Sequence, residues 1–324
     1  MSAGRSSTKR SAPPSAGSAS AELWRADTGT DASFRPPGLA PVPAAAPHPV
    51  PEVDRNLANW SSAWDWSQQG DEWSAPWGGT PALWHGALLP RIHSFVPAGT
   101  ILEIAPGYGR WTQYLKDLCE RLVIVDLTQG CIDHCRERFA EAANIEYHVN
   151  DGRSLAMIED GSIDFAFSFD SLVHAESDVL GAYLEQLARK LTPDGVGFIH
   201  HSNIGSYPVL TKLAHRVPGR VVGPLVRRGA LINIVAWRAE SVTADSVAAQ
   251  CESAGLSCAG QEKINWEAGR YLIDTLTVFT RRGSRWDRPR EIVSNPLFTD
   301  EAKRMARLYA ATSFPRHGDA SRRP

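Results

Sequence analysis

The chain has 324 residues, 43 % of them hydrophobic and 22 % charged, enough apolar material for one large packed core or two small ones. A net charge of −2 gives no overall attraction to phosphate backbones or anionic membranes, so neither nucleic acid nor membrane is an expected partner. No apolar run approaches bilayer length and no apolar signal core follows the basic N-terminus, which predicts a cytoplasmic protein.

Residues 1–53 are rich in Ser, Ala, Pro and Gly and predict a disordered tail. Residues 54–97 form a Trp-rich cap with Trp60, Trp64, Trp66, Trp73, Trp77 and Trp84, ending in a helix over 81–95. These indoles either pin the cap to the rest of the chain or lend some rings to an acceptor pocket. Trp77-Gly78-Gly79 is the part expected nearest a cofactor entrance, and Trp111 is expected to pack.

Residues 98–283 change pattern. Apolar runs at 101–105, 121–127, 145–150, 163–169 and 196–201 alternate with helical stretches at 110–120, 130–143 and 179–191. That alternation predicts an α/β fold with a doubly wound, mostly parallel sheet. The LTPDG sequence at 191–195 reads as a helix end and turn, and 204–236 as an insertion over the site. A helix at 243–254 and strands at 257–264 and 271–280 complete seven strands, the last antiparallel. Residues 284–324 are a basic C-terminal tail with a short helix over 299–311. Of the cysteines, Cys131 and Cys135 lie one helical turn apart, and packing is the expected role rather than zinc.

The strongest motif is ILEIAPGYGRWT at 101–112: an apolar strand, a Gly107-x-Gly109 turn, then a helix start. Glycines let the backbone turn tightly and leave room for a ligand beyond the strand ends. The second strand ends at Asp126, placed to accept from ribose hydroxyls; the bland alternative is a solvated acid at a strand end. Asp151-Gly152 follows the third strand, either as an adenine acceptor or as a simple turn. Thr112 stands where a dinucleotide fingerprint needs a third glycine, which argues against a nicotinamide oxidoreductase.

At these residues the chain resembles class I S-adenosylmethionine-dependent methyltransferases, over about 97–281. The resemblance implies S-adenosyl-L-methionine as cofactor, with the glycine turn on the methionine moiety, Asp126 on the ribose and Asp151 on the adenine. The cofactor-binding set it implies is Glu103, Ala105, Gly107, Gly109, Asp126, Leu127, Asp151, Gly152 and Ser168. The strings SFDSLVHAE and FIHHSN are similar to bacterial sugar O-methyltransferases of the mycobacterial and actinobacterial kind, which implies a hydroxyl acceptor.

The reacting groups are expected after strands four and five, at Asp170, His174, His201 and Asn203. His174 or His201 is a candidate general base. Alternatively Asp170, His201 and Asn203 hold Mg2+ or Mn2+, which acidifies a bound hydroxyl. Consecutive strand residues face opposite ways, so only one of His200 and His201 reaches the site, and His201 is the expected one. His174 has a packing alternative and Asp170 a helix-capping one. The function expected is O-methylation of a sugar or similar small metabolite. The competing readings are a nicotinamide oxidoreductase and a non-catalytic cofactor-binding module. A homodimer is left open.

Overall fold

The inner parts of the first two strands are apolar at nearly every position, and that shapes the architecture. In the first two strands Ile101, Leu122 and Ile124 enter one core layer, while Leu102, Ile104, Val123 and Val125 enter another. Side chains alternate across a strand, so such runs are stable only where both faces are covered.

The computed structural model describes residues 52–312 apart from 233, 235–236 and 267–269. Its strands are β1 (Ala98–Ile104), β2 (Cys119–Asp126), β3 (Ile145–Val149), β4 (Ile163–Ser168), β5 (Leu191–Ser202), β6 (Leu256–Ile264), β7 (Asp274–Arg281) and β8 (Glu291–Asn295). They form one sheet in the order β3-β2-β1-β4-β5-β7-β6-β8. β7 runs antiparallel to both its neighbours, and the other pairings are parallel.

The helices are α1 (Glu52–Ala58), α2 (Thr80–Leu83), α3 (Leu89–Ile92), α4 (Thr112–Leu115), α5 (Gln129–Arg138), α6 (Ser177–Lys190), α7 (Pro208–Arg216), α8 (Gly219–Arg227), α9 (Ala244–Ser253) and α10 (Phe298–Thr312). One face of the sheet packs against Leu83, Trp84, Leu88, Ile92, Ile132 and Phe298. The other packs against α6 and α9 through Val179, Leu180, Leu184, Leu187, Val247 and Cys251. The α6 residues recur at helical spacing, and each buried side chain contributes roughly 1.5–3 kcal/mol. Thr243 caps α9 in a reciprocal pair with Ser246.

Several elements differ from expectation. The sheet has eight strands rather than seven: Glu291–Asn295 adds to β6 as an edge strand. It escaped notice because Ile292 and Val293 are about half exposed, so the segment lacks the apolar signature of its neighbours. LTPDG belongs to β5. The helix expected over 110–120 is reduced to α4, and Asn144 Nδ2 donates to the carbonyls of Lys116 and Cys119 where the chain returns to the sheet. The helix over 81–95 is interrupted by a π-helical turn at Trp84–Leu88, just before Pro90, which has no N–H to continue the ladder. The 204–236 insertion contains α7 and α8. Of the tail expected over 1–53, only Glu52 and Val53 fall among the described residues, and both belong to α1.

Candidate active site

β1 delivers its carboxyl end into a turn with left-handed backbone at Ala105 (φ 57°), Gly107 (φ 57°) and Gly109 (φ 83°). For alanine that conformation costs about 1 kcal/mol. The Ala105 N–H donates to Val125 O at 2.7 Å, and its carbonyl accepts from Ser171 Oγ at 2.8 Å, which holds it there. Asp126 at the end of β2 locks the same turn. Its Oδ2 accepts from the Gly107 N–H at 3.1 Å, and its Oδ1 accepts from Thr128 N at 2.8 Å and Thr128 Oγ1 at 3.0 Å. Burial pushes the Asp126 carboxyl up to about 6 against the lowering effect of those donors.

A cavity opens above this turn, at the carboxyl ends of β1, β2 and β4. Seven of the residues expected at a site line it: Ala105, Gly107, Asp126, Leu127, Gly152, Asp170 and His174. Trp60, Trp66, Trp73, Tyr108 and Arg110 line it as well. Here the sequence reading fell short, because nothing in a run of indoles says which rings face a cavity.

The remaining expected residues lie elsewhere. Glu103 is buried under the turn, where its Oε2 accepts from Thr112 Oγ1 at 2.6 Å and its Oε1 has no partner. Burial raises its carboxyl to about 8. Gly109 is a packing position: a Cβ there would come within 2.5 Å of the Phe139 ring. The exposed Asp151 carboxylate accepts from the N–H groups of Arg153 and Ser154, which lower its pKa. Ser168 Oγ donates to Ile104 O at 2.9 Å and ties β4 to β1.

Of the two histidines on β5, His200 and not His201 reaches the Asp170 side. Its ring lies 4.6 Å from that of Phe169, and its Nδ1 accepts from the Asp170 N–H at 3.1 Å. The proton of the neutral ring is then on Nε2, which lies 3.3 Å from Asp274 Oδ2. His201 points to the opposite face, with Nε2 2.7 Å from Thr277 Oγ1 and Nδ1 2.8 Å from Ser202 O. Burial lowers its pKa to about 4, so this ring is neutral and both nitrogens are engaged.

Asp170 (φ 64°) belongs to a buried ionic network. Arg110 Nη2 contacts its Oδ2 at 2.8 Å, and Arg238 Nη2 lies 3.9 Å from its Oδ1. Arg238 also forks onto Asp274, with Nε and Nη2 donating at 2.8 Å and 2.9 Å. The Arg238 guanidinium holds the Asp274 carboxyl down to about 2 despite its burial. Two arginines and two aspartates balance, so this end of the cavity carries no net charge.

His174 follows β4 in a short helical turn, Leu172–His174. Its Nδ1 lies 2.6 Å from Trp237 O, and its ring sits between those of Trp60 and Trp237, at 5.4 Å and 4.9 Å. Burial, with the Arg238 charge adding to it, lowers its pKa to about 4. The ring is neutral. A carbonyl only accepts, so Nδ1 carries the proton and Nε2 keeps its lone pair.

The divalent-metal set expected at Asp170, His201 and Asn203 does not assemble. Asp170 is neutralised by two guanidinium groups and His201 faces away. Asn203 gives its amide N–H to Leu272 O and accepts from Ser206 Oγ and the Ala244 N–H. Among the described residues no cluster of three His, Cys, Asp or Glu side chains is placed to hold a metal ion.

The N-terminal cap closes over the cavity. A Cβ on Gly152 would meet the Val53 side chain at 3.0 Å, and one on Gly107 would meet the Trp66 ring at the same distance. Trp66 stacks on Tyr108 at 4.4 Å, and Tyr108 on His134 at 3.9 Å. Trp60, Trp66 and Trp73 touch one another with centroids 5.4–6.1 Å apart. Trp77-Gly78-Gly79 does not reach this entrance; Trp77 is buried against Trp266 at 4.5 Å. Trp111 both packs and lines the cavity, with Nε1 3.3 Å from Phe169 O.

Residues 101–195, spanning the glycine turn and the ends of β2 to β4, match the family model described as a methyltransferase domain. That segment is similar to methyltransferase domains. The chain is 27 % identical over 134 residues to the biotin biosynthesis bifunctional protein BioHC of Cellvibrio japonicus, covering 41 % of this chain and 26 % of that one. It is 26 % identical over 116 residues to phosphoethanolamine N-methyltransferase 1 of Caenorhabditis elegans, covering 36 % and 23 %. The match thus spans about a quarter of each relative's length. Among solved structures, the PH0226 protein of Pyrococcus horikoshii aligns with TM-score 0.46 and 19 % identity, over 72 % of this chain and 100 % of that one. The CcbJ methyltransferase of Streptomyces caelestis aligns with TM-score 0.44 and 14 % identity, over 67 % and 99 %. The strand order of the sheet and the domain match support the class I, S-adenosylmethionine-dependent kind of methyltransferase.

Proposed function

We propose that the protein is an S-adenosylmethionine-dependent O-methyltransferase acting on a neutral hydroxyl of a small acceptor, a sugar or a similar metabolite. The observation that carries this reading is His174, a neutral imidazole on the cavity wall whose Nδ1–H is fixed on Trp237 O.

The cavity suits the cofactor. Gly107 makes the tight turn beneath Trp66, Asp126 is a buried carboxylate on the cavity wall, and Leu127 and Gly152 line the cavity beside it. S-adenosylmethionine supplies a methyl group activated on a sulfonium. The Gly107 turn, Asp126, Leu127 and Gly152 would hold it, with Asp126 accepting from ribose hydroxyls. Trp60, Trp66 and Trp73 exclude water from the acceptor end. His174 Nε2 takes the acceptor hydroxyl proton as the oxygen attacks, and the imidazolium so formed is stabilised through its Nδ1–H on Trp237 O.

Charge favours a hydroxyl over an amine. A protonated amine is best held by an unpaired carboxylate, and Asp170 is already neutralised. Indole faces match the C–H faces of sugar rings, which favours a carbohydrate within the hydroxyl class. No helix among the described residues is long and apolar enough to cross a membrane.

The test is calorimetry with S-adenosylmethionine on the native protein and on Asp126→Ala, followed by a methyl-transfer screen over neutral sugars, amines and carboxylates. Binding that weakens at least about tenfold in the variant and transfer to a hydroxyl support the proposal. Transfer to amines alone overturns the acceptor class, and absence of cofactor binding overturns the whole reading.

A further inference from the structure

The near-neutral charge of the whole chain hides one lopsided segment. From 195 to 239 the sequence has no Asp or Glu, yet it has Lys212, Arg216, Arg220, Arg227, Arg228 and Arg238. Arg238 is spent on the buried network, and the others belong to the α7–α8 insertion or directly follow it.

The outer face of α7 is built from both kinds of residue. Val209, Lys212, Leu213 and Arg216 recur at i, i+3, i+4 and i+7, one stripe of a helix, and all four are exposed. Leu210, Thr211 and Ala214 take the inward side. Val209 is 76 % exposed, the largest value among the large apolar side chains of the described residues, and Leu213 is 51 % exposed. α8 repeats the pattern on a smaller scale: Val221 and Pro224 face out while Val222 is buried, and Arg228 is exposed just beyond its end. The acidic group paired there is Glu240, on His215. Elsewhere acidic groups accompany the basic ones: Ile292 and Val293 follow Glu291, and α10, with Met305 and Leu308 beside Lys303, Arg304 and Arg307, opens with Asp300 and Glu301.

We propose that the outer face of α7 and α8 docks on an anionic lipid surface. Aliphatic side chains that interleave with Lys and Arg on a short helix bury shallowly at the headgroup boundary, while the cations meet lipid phosphates. An acidic soluble protein would satisfy the cations as well. The stripe of isolated aliphatics with no groove between them fits the flat, deformable bilayer interface better. The inference stands on this surface alone and not on the acceptor reading. α8 leads within ten residues to Trp237, which touches His174, so a docked insertion would lie beside the cavity.

The experiment is co-sedimentation of the full chain with vesicles of phosphatidylcholine containing phosphatidylglycerol, and with phosphatidylcholine alone, at low and high salt. Expected is binding to the anionic vesicles at low salt, lost at high salt, and little binding to the neutral ones. Lys212→Glu with Arg216→Glu lowers the partition coefficient at least about thirtyfold. Val209→Ser with Leu213→Ser lowers it about tenfold and leaves the salt dependence in place. Unchanged melting curves confirm that the variants fold, and Val221→Ser on α8 with Arg228→Glu just beyond it is an independent pair. Failure of the native chain to sediment with anionic vesicles at low salt overturns the proposal. So does equal binding by native and variant chains, or binding to an acidic protein with vesicles ignored.

Discussion

His174 Nδ1 lies 2.6 Å from the carbonyl oxygen of Trp237, a residue in left-handed backbone (φ 48°). The next residue is Arg238, clamped on Asp274 at the start of β7. Ala239 follows, with its N–H on Val173 O and its carbonyl accepting from Ser202 Oγ. The strap therefore has fixed anchors, and through it one carbonyl sets which imidazole nitrogen keeps a lone pair.

The first prediction concerns that ring. His174→Gln should leave cofactor affinity within a few-fold of native and lower kcat by about 10²-fold or more. The native kcat at saturating donor should stay flat through the neutral range and fall only toward the His174 pKa of about 4. An acidic limb near the ordinary histidine value of 6.5 would assign the base elsewhere.

Two buried groups pull stability in opposite directions with pH. His174 is depressed from 6.5 to about 4, so the stability linked to it is present above 6.5 and lost as pH falls through about 4. Glu103 is raised from 4.5 to about 8, so its contribution is complete below 4.5 and lost as pH rises through about 8. Glu103→Gln removes the second dependence. Its melting temperature should change less than the native one between mildly acidic and mildly alkaline buffer.

Asp170 balances Arg110 directly and Arg238 at longer range. Removing one partner of a buried pair leaves an uncompensated charge, at a cost of about 3–5 kcal/mol. Asp170→Ala should therefore show a large loss in denaturant midpoint, and Asp170→Asn a smaller one. A midpoint unchanged in both would mean that the network contributes nothing.

Because Asp170, His201 and Asn203 do not converge, methyl transfer should survive exhaustive chelation. Loss of turnover with EDTA, restored by Mg2+ or Mn2+ but not by Zn2+, would require a metal site built from other groups.

Much of the sheet was legible because its physics is local. The LVIV run at 122–125 is apolar at every position, and only a strand covered on both faces uses such a run. The Gly107 turn and Asp126 were legible for the same reason: a glycine turn after one strand and an acid after the next need no tertiary information. β8 was not legible, since an exposed edge strand looks like a loop. The orientation of His200 and His201 depended on strand register, and a slip of one residue exchanges the two faces. Trp237 and Arg238 act on residues far away in sequence, both from just beyond the irregular 204–236 insertion. Which indoles reach the cavity is likewise a property of how the cap folds back, not of tryptophan spacing.

Val53 rests on Gly152 and Trp66 on Gly107, so the N-terminal strap is laid across both ends of the nucleoside crevice. Both contacts narrow the way into the crevice, and lifting this strap would break the Trp66–Tyr108 stack. Under the proposed function, trimming Trp66 should quicken the exit of the demethylated product even as it loosens the grip on the incoming donor.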